Sequence, residues 1–256
     1  MSRRLMMPLL LAGLLAAPAV QAQATVARFL TFENDLYFDT DRYYTNGIQY
    51  SSKWTTTQKS GWLDHVCRRF GCADDSLVST QQNIGQLMYT PTNLQVAAPQ
   101  PLDRPWAGLL YFERGYTLAN AAKTRLTIVT WQVGLTGPLS MAEKSQKLVH
   151  RLLNVDEPQG WSNQVGDTVA VMVTLERRHA VRALRLDFNN GNQVRTTGYW
   201  RVGLGSIMSY AAVGAQVTLG KGLPEVAPVP GGILNKVSPT SVACLFSSVR
   251  CTGTPC

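Results

Sequence analysis

After its first two dozen residues, the 256-residue chain contains no run of 18 apolar residues, so no later segment can cross a bilayer as a helix. That leaves crossing by strands open, because a closed barrel satisfies its backbone hydrogen bonds between strands. Histidine is scarce, with only His65, His150 and His179. The five cysteines show no metal-site spacing. Cys67 and Cys72 are near enough in sequence to bridge in an oxidising compartment, or equally to stand as two unpaired thiols in a turn. The chain also lacks a G-x-S-x-G elbow, an H-E-x-x-H pair and a Walker loop, and Gly203-Leu204-Gly205 misses the dinucleotide pattern. Serine nucleophiles are plentiful, yet none sits beside a second histidine, so a histidine that activates water is the simpler hydrolytic chemistry.

The N-terminus reads as an address. Arg3 and Arg4 precede an apolar stretch over 5–17, and Ala22-Gln23-Ala24 forms an A-x-A cleavage site, with Val20-Gln21-Ala22 as an alternative. Residues 1–24 are therefore expected to be a bacterial secretory signal peptide. The formal charge of +8 falls by two without Arg3 and Arg4. Such an excess suits a phosphorylated lipid surface or a nucleic acid, and export argues against nucleic acid.

From residue 25 onward the chain reads as short alternating segments. Over 45–54, Ile48, Tyr50 and Trp54 alternate with polar or small residues, and Asn46 and Ser52 are exceptions. A period of two describes a strand with one wet and one apolar face. Similar segments cover 25–35, 79–89, 106–117, 124–135, 166–177, 181–190 and 207–221. The fold class expected is all-β, either a transmembrane barrel or a soluble sandwich, since both alternate. Aromatics near segment ends (Tyr37, Phe38, Tyr43, Tyr44, Trp54, Tyr89, Trp106, Tyr116) are candidates for interfacial girdles.

One segment breaks the pattern. Ser140 and Glu143 form a capping box, followed by Leu148, Val149, Leu152 and Leu153 at helical spacing, with Gln146 and His150 on another side. This predicts an amphipathic helix over 140–154 within a long loop, and long loops in compact domains are usually functional. Bacterial barrels start in the periplasm and have short inner turns and long outer loops. Numbered on that basis, His65 and His179 fall at the inner side. Asn34, Asp35, Thr45 and the helix with Gln146 and His150 gather at the outer rim. The inward turn 57–78 is long for this scheme. Asp39 and Asp41 are turn formers or calcium ligands.

Several stretches together resemble a known family. They are Glu33-Asn34-Asp35; Thr40-Asp41-Arg42-Tyr43-Tyr44-Thr45-Asn46-Gly47; Gly85-Gln86-Leu87-Met88-Tyr89-Thr90-Pro91; Asp103-Arg104-Pro105-Trp106-Ala107-Gly108; the Gln146–His150 pair; and Trp161-Ser162-Asn163-Gln164. In this order they resemble the outer-membrane lipid A 3′-O-deacylases, over residues 28–220. The resemblance implies a twelve-stranded antiparallel transmembrane barrel with a calcium-dependent site at the outer rim, acting as a monomer on lipopolysaccharide. It implies that His150 deprotonates a water that attacks the 3′ acyloxyacyl ester. Asp35 would hold the metal or orient the site, Asn34 and Thr45 would line it, and Gln146 would lie beside the histidine. The family's carboxylate six residues after the histidine is Asp156 here, with Glu157 adjacent. Histidine titrates near neutrality, as such a base must, and calcium takes hard oxygen ligands.

Two departures from the family pattern stand out. Residues 90–102 contain no Lys or Arg where some members carry a lysine, so oxyanion stabilisation would fall to another group. Residues 222–256 hold five of the 13 prolines and three cysteines (Cys244, Cys251, Cys256) without sustained alternation. About eight strand-like segments occupy 25–221, and the tail is expected to be irregular, as in a truncated or frame-shifted product. The competing functions are a non-enzymatic or inactive barrel and an outer-membrane phospholipase.

Overall fold

Residues 25–34, 46–56, 61–70 and 78–227 are described by the computed structural model. Eight long strands form one antiparallel meander. They are β1 (Thr25–Asn34), β2 (Asn46–Thr56), β3 (Val78–Tyr89), β4 (Ala107–Ala119), β5 (Arg125–Thr136), β6 (Val169–Ala180), β8 (Gln193–Gly205) and β9 (Tyr210–Gly220). A two-residue β7 (Leu186–Asp187) pairs only with the start of β8. Two helices interrupt the order, α1 (Gly61–Phe70) between β2 and β3 and α2 (Ala142–Leu153) between β5 and β6. Strands of 10 to 13 residues suit a tilted crossing of a bilayer. Among the described residues no helix is long and apolar enough to cross one.

The alternation seen in the sequence becomes two chemically opposite faces. Ile48, Ile84, Val133, Val171, Val173, Leu204, Val213, Val217 and Leu219 point outward and are exposed. The inner face is polar and closed to water: Gln49, Ser51, Asn83, Glu113, Gln132, Glu176 and Arg178 are all buried there. Tyr111 donates its hydroxyl to Gln49 Oε1 at 2.8 Å, and a Cβ on Gly85 would collide with that ring, so glycine leaves the tyrosine room to lie across the sheet. Asn83 donates to Glu113 Oε1 at 2.5 Å. Glu176 accepts from Arg178 at 2.7 Å and from Arg201 Nη2 at 2.6 Å, and Arg178 also stacks over Tyr199. A cavity of about 270 Å³ on this inner face is lined by Lys53, Gln81, Glu113, Glu176 and Arg201 among others. None of its lining residues comes from α2.

Three expectations change. The segment 181–190 is mostly a short 3-10 turn (Arg182–Leu184) and β7, and the seventh long strand is β8 at 193–205. Leu184, Leu186 and Phe188 do alternate with Arg185 and Asp187, but these charges serve an ion-pair cluster with Arg195 and Glu225. In β8, Thr196 and Gly198 interrupt the outward apolar row of Val194, Trp200, Val202 and Leu204, which hides its period. The long inward turn holds α1, whose Trp62 meets Tyr116 edge-on at 4.9 Å. The girdle also differs. Trp54 and Tyr116 flank Arg114 on the outer wall, but Tyr89 turns inward and Trp106 is buried. Residues 222–227, the described part of the expected irregular tail, form no strand and pack against β8: Ala227 donates its N–H to Thr197 Oγ1 at 2.9 Å, and Val226 is buried beside it.

The Glu176 cluster gives a direct test of the inner face. Breaking a buried ion pair leaves an uncompensated charge at a cost of about 3–5 kcal/mol. Glu176→Leu is expected to lower the urea midpoint of the micelle-bound protein accordingly, and the triple change E176L/R178M/R201M to recover much of the loss. An unchanged midpoint for the single variant would show that water already solvates the cluster.

Candidate active site

At one rim lie the ends of β1 and β2, where Asn34 pairs with Asn46, and the connections 90–106 and 137–168. The opposite rim carries α1 and the 181–192 connection, so His65 on α1 and His179 near the end of β6 stand far along the strands from His150 on α2. The histidine assignment by topology therefore agrees with the described backbone.

The helix is seated on the outer wall rather than inside the sheet. Gln86 and Met88 share the outward face of β3 with Ile84, and Gln86 Nε2 donates to the backbone carbonyl of Ser140 at 2.6 Å. On β4, a Cβ at Gly108 would overlap Ser140 Oγ and Ala142 Cβ, so glycine permits the close approach of α2. Met88, Trp106, Ala142 and Trp161 form a buried apolar cluster, with the two indoles 5.0 Å apart. Trp161 Nε1 donates to Gln146 Oε1 at 2.7 Å, and Gln146 is itself buried. Stretches separated by more than 70 residues in sequence thus converge on one joint.

The start of the helix differs from the capping box. Ser140 ends a 3-10 turn, and its buried Oγ donates to Gly137 O at 2.5 Å. Met141, in a left-handed conformation with φ 60°, is the N-cap residue, and Glu143 pairs with Lys147 at 2.8 Å instead of closing the box. Wall contact claims Ser140, because its carbonyl is needed by Gln86.

The end of the helix builds the histidine's environment. Asn154 takes φ 54°, a left-handed turn that asparagine tolerates, and Val155 N–H returns to His150 O at 3.0 Å. The reversal brings the backbone carbonyl of Asp156 to 2.6 Å from His150 Nδ1. A carbonyl only accepts, so Nδ1 carries a hydrogen, and in the neutral ring Nε2 presents the lone pair. The expected carboxylate role of Asp156 is thus joined by one for its main chain. Glu157 ion-pairs with Arg151 at 3.3 Å. Sequence reasoning missed Asn154 and the Gln146–Trp161 bond; an asparagine just past an apolar helical run was the available signal.

The neighbouring connection is braced. Asp103 accepts from the backbone N–H of Thr92 at 2.8 Å and of Arg104 at 2.7 Å, and these two bonds hold its carboxyl below the usual carboxylate range. The clamp is thereby present above the ordinary aspartate pKa and is lost only as pH falls through the lower folded value. Arg104 stacks over Tyr89 at 5.6 Å. Gln159 N–H to Leu94 O and Val165 N–H to Trp106 O, both 2.9 Å, tie the two long connections together.

Asp35 and Thr45 lie outside the described residues, as do Asp39, Asp41, the leader, Cys72 and the tail cysteines. Among the described residues no three acidic, histidine or cysteine side chains converge on a metal site. A calcium set drawn from them alone does not fit, and the expectation depends on residues 35–45.

A strand meander with an apolar outer wall, a polar interior and a histidine-bearing helix packed outside it defines the class of outer-membrane barrels. The model of the family described as outer membrane protein LpxR matches residues 5–246, and the chain belongs to that family. The solved structure of LpxR from Salmonella typhimurium superimposes with a TM-score of 0.56 at 18% identity, covering 73% of this chain and 57% of that one. The chain therefore spans a little over half the length of that relative. No curated protein matches it by sequence. Family membership places it in the outer membrane.

Both ends of α2 are testable without an activity assay. Gly108→Val and Asn154→Val are expected to raise the rate of tryptic cleavage at Lys144, Lys147 and Arg151 several-fold in folded, heat-modifiable protein, while Asn154→Gly keeps the protection. Equal cleavage of all four proteins would mean that neither the wall contact nor the left-handed turn holds the helix.

Proposed function

We propose that the protein removes the 3′-linked acyloxyacyl chain of lipid A by histidine-activated hydrolysis. The observation that carries the reading is the His150 Nδ1 contact with Asp156 O, which fixes the tautomer and leaves Nε2 as an oriented base beside the barrel wall. In the reaction, Nε2 takes a proton as water attacks the acyl carbon. The ester C–O bond breaks, and the proton passes to the sugar oxygen, giving a fatty acid and a free 3′ hydroxyl. Gln146 acts as a positioning residue: its bond to Trp161 holds the helix turn that carries His150. Asn34, Asp35 and Thr45 would line the facing rim.

A calcium requirement belongs to the same proposal. Asp35 and Asp156 would hold the ion, which when bound supplies Lewis-acid polarisation of the ester carbonyl. Lipopolysaccharide carries phosphates, which a chain of net positive charge attracts. We expect the enzyme to act as a monomer.

Mass spectrometry of lipid A from cells expressing the chain tests the proposal. Wild type is expected to yield lipid A lacking the 3′ acyloxyacyl mass, and His150→Ala to lower the rate on the order of 10²-fold or more. Chelation with EDTA is expected to abolish the activity and added calcium to restore it. Intact lipid A with an inserted wild-type barrel would instead favour a non-enzymatic protein, and free fatty acid from glycerophospholipids alone would favour a phospholipase.

A further inference from the structure

Helix α2 carries Leu148 and Leu152 on a side turned away from the wall, while Val149 and Leu153 continue the stripe of Ala142 and Gln146 and are left uncovered by it. Only Ala142 and Gln146 of the helix are buried against the wall. Leu148, Val149, Leu152 and Leu153 are 52%, 38%, 76% and 64% exposed, and the flanking Leu139, Met141 and Val155 are exposed as well. A helix folded for water would turn Leu148 and Leu152 inward; here those places are taken by an alanine and a glutamine. The helix therefore has three sides, one seated on β3 and β4, one apolar and exposed, and one bearing Lys144, Lys147 and Arg151.

The apolar side continues a surface already assigned to lipid. Ile84 stands one pleat below Gln86, the residue that holds Ser140 at the head of the helix, and is 56% exposed on the outer wall. Val133 and Val169, near the ends of the strands that flank the 137–168 connection, are also exposed outward. An apolar helix face with a basic edge beside it is the pattern of a segment lying in a membrane interface. The basic edge complements the anionic phosphates of the outer leaflet.

We infer that α2 lies in the membrane interface, with Leu148 and Leu152 among the acyl chains of the outer leaflet and Lys144 and Arg151 at the level of the phosphates. The inference goes beyond the deacylase reading and rests on the outer-membrane location alone. A lipid-embedded helix on an inactive chain would leave it standing, so the two fail separately.

Site-specific fluorescence in nanodiscs tests it. Leu152→Cys, Lys144→Cys and, on the outer wall, Val171→Cys are each labelled with an environment-sensitive dye in full-length protein whose own five cysteines are serine. Heat-modifiability selects the folded fraction. Phosphatidylcholine carrying a doxyl group at carbon 5 reports acyl contact, and iodide reports water. The Leu152 label is expected to be quenched by doxyl lipid as the Val171 label is, and by iodide roughly threefold less than the Lys144 label. Equal iodide quenching at Leu152 and Lys144 would overturn the inference by placing the row in water. A Leu152 label reached by neither quencher would overturn it too, by showing that protein, whether another part of this chain or a second copy, covers the row. A duplicate with the dye at Leu148→Cys in place of Leu152→Cys guards against a local effect of one label and carries the same expected pattern.

Discussion

The seat of α2 on the wall rests on one shared carbonyl. Ser140 O accepts from Gln86, and that bond fixes where the helix begins, because the residue that would otherwise cap it is held by a strand. Everything downstream takes its register from this point. Gly108 lets the first turn approach, Trp106 and Trp161 fill the space beneath it, and Gln146 is placed to receive Trp161 Nε1. His150 lies one turn further on, where the Asn154 reversal meets it with a carbonyl. A buried, well-formed hydrogen bond contributes about 1 kcal/mol net, yet leaving its donor unpaired costs more, so the joint tolerates little slippage.

How much of this was legible in the sequence varied with the kind of force at work. Burial against lipid on one side and polar packing on the other imposes a strict period of two, and β1 to β6 and β9 were visible through it. β8 was not, since Thr196 and Gly198 replace apolar residues on its outer face. α1 was hidden within a turn, where no barrel rule calls for a helix. At the site, the order of motifs and the reach of His150 to the outer rim could be read directly. The contacts that explain the motifs could not: a glycine kept small for a distant serine, or a glutamine paired with a tryptophan 15 residues on, leaves no periodic trace.

The inner face depends on a different balance. Glu113, Glu176, Arg178 and Arg195 are nearly closed to water, so each needs a partner to offset its desolvation. The meander supplies them from neighbouring strands, as with Arg201 for Glu176, and the cluster therefore depends on register. A slip of one residue would turn these groups toward lipid and the valines inward. The charges thus specify the pairing that the outer apolar rows alone would leave ambiguous.

The position of the joint on the outside of the wall has a consequence for traffic. A molecule that meets His150 need not thread the interior, whose cavity is lined by residues from other places. On the proposed function a lipid substrate would arrive sideways, by diffusion in the plane of the leaflet, so encounters would be governed by a surface density and not by a volume concentration. Changes to the interior and changes to the joint therefore act on separate quantities, the first on how well the wall holds together, the second on what the wall meets.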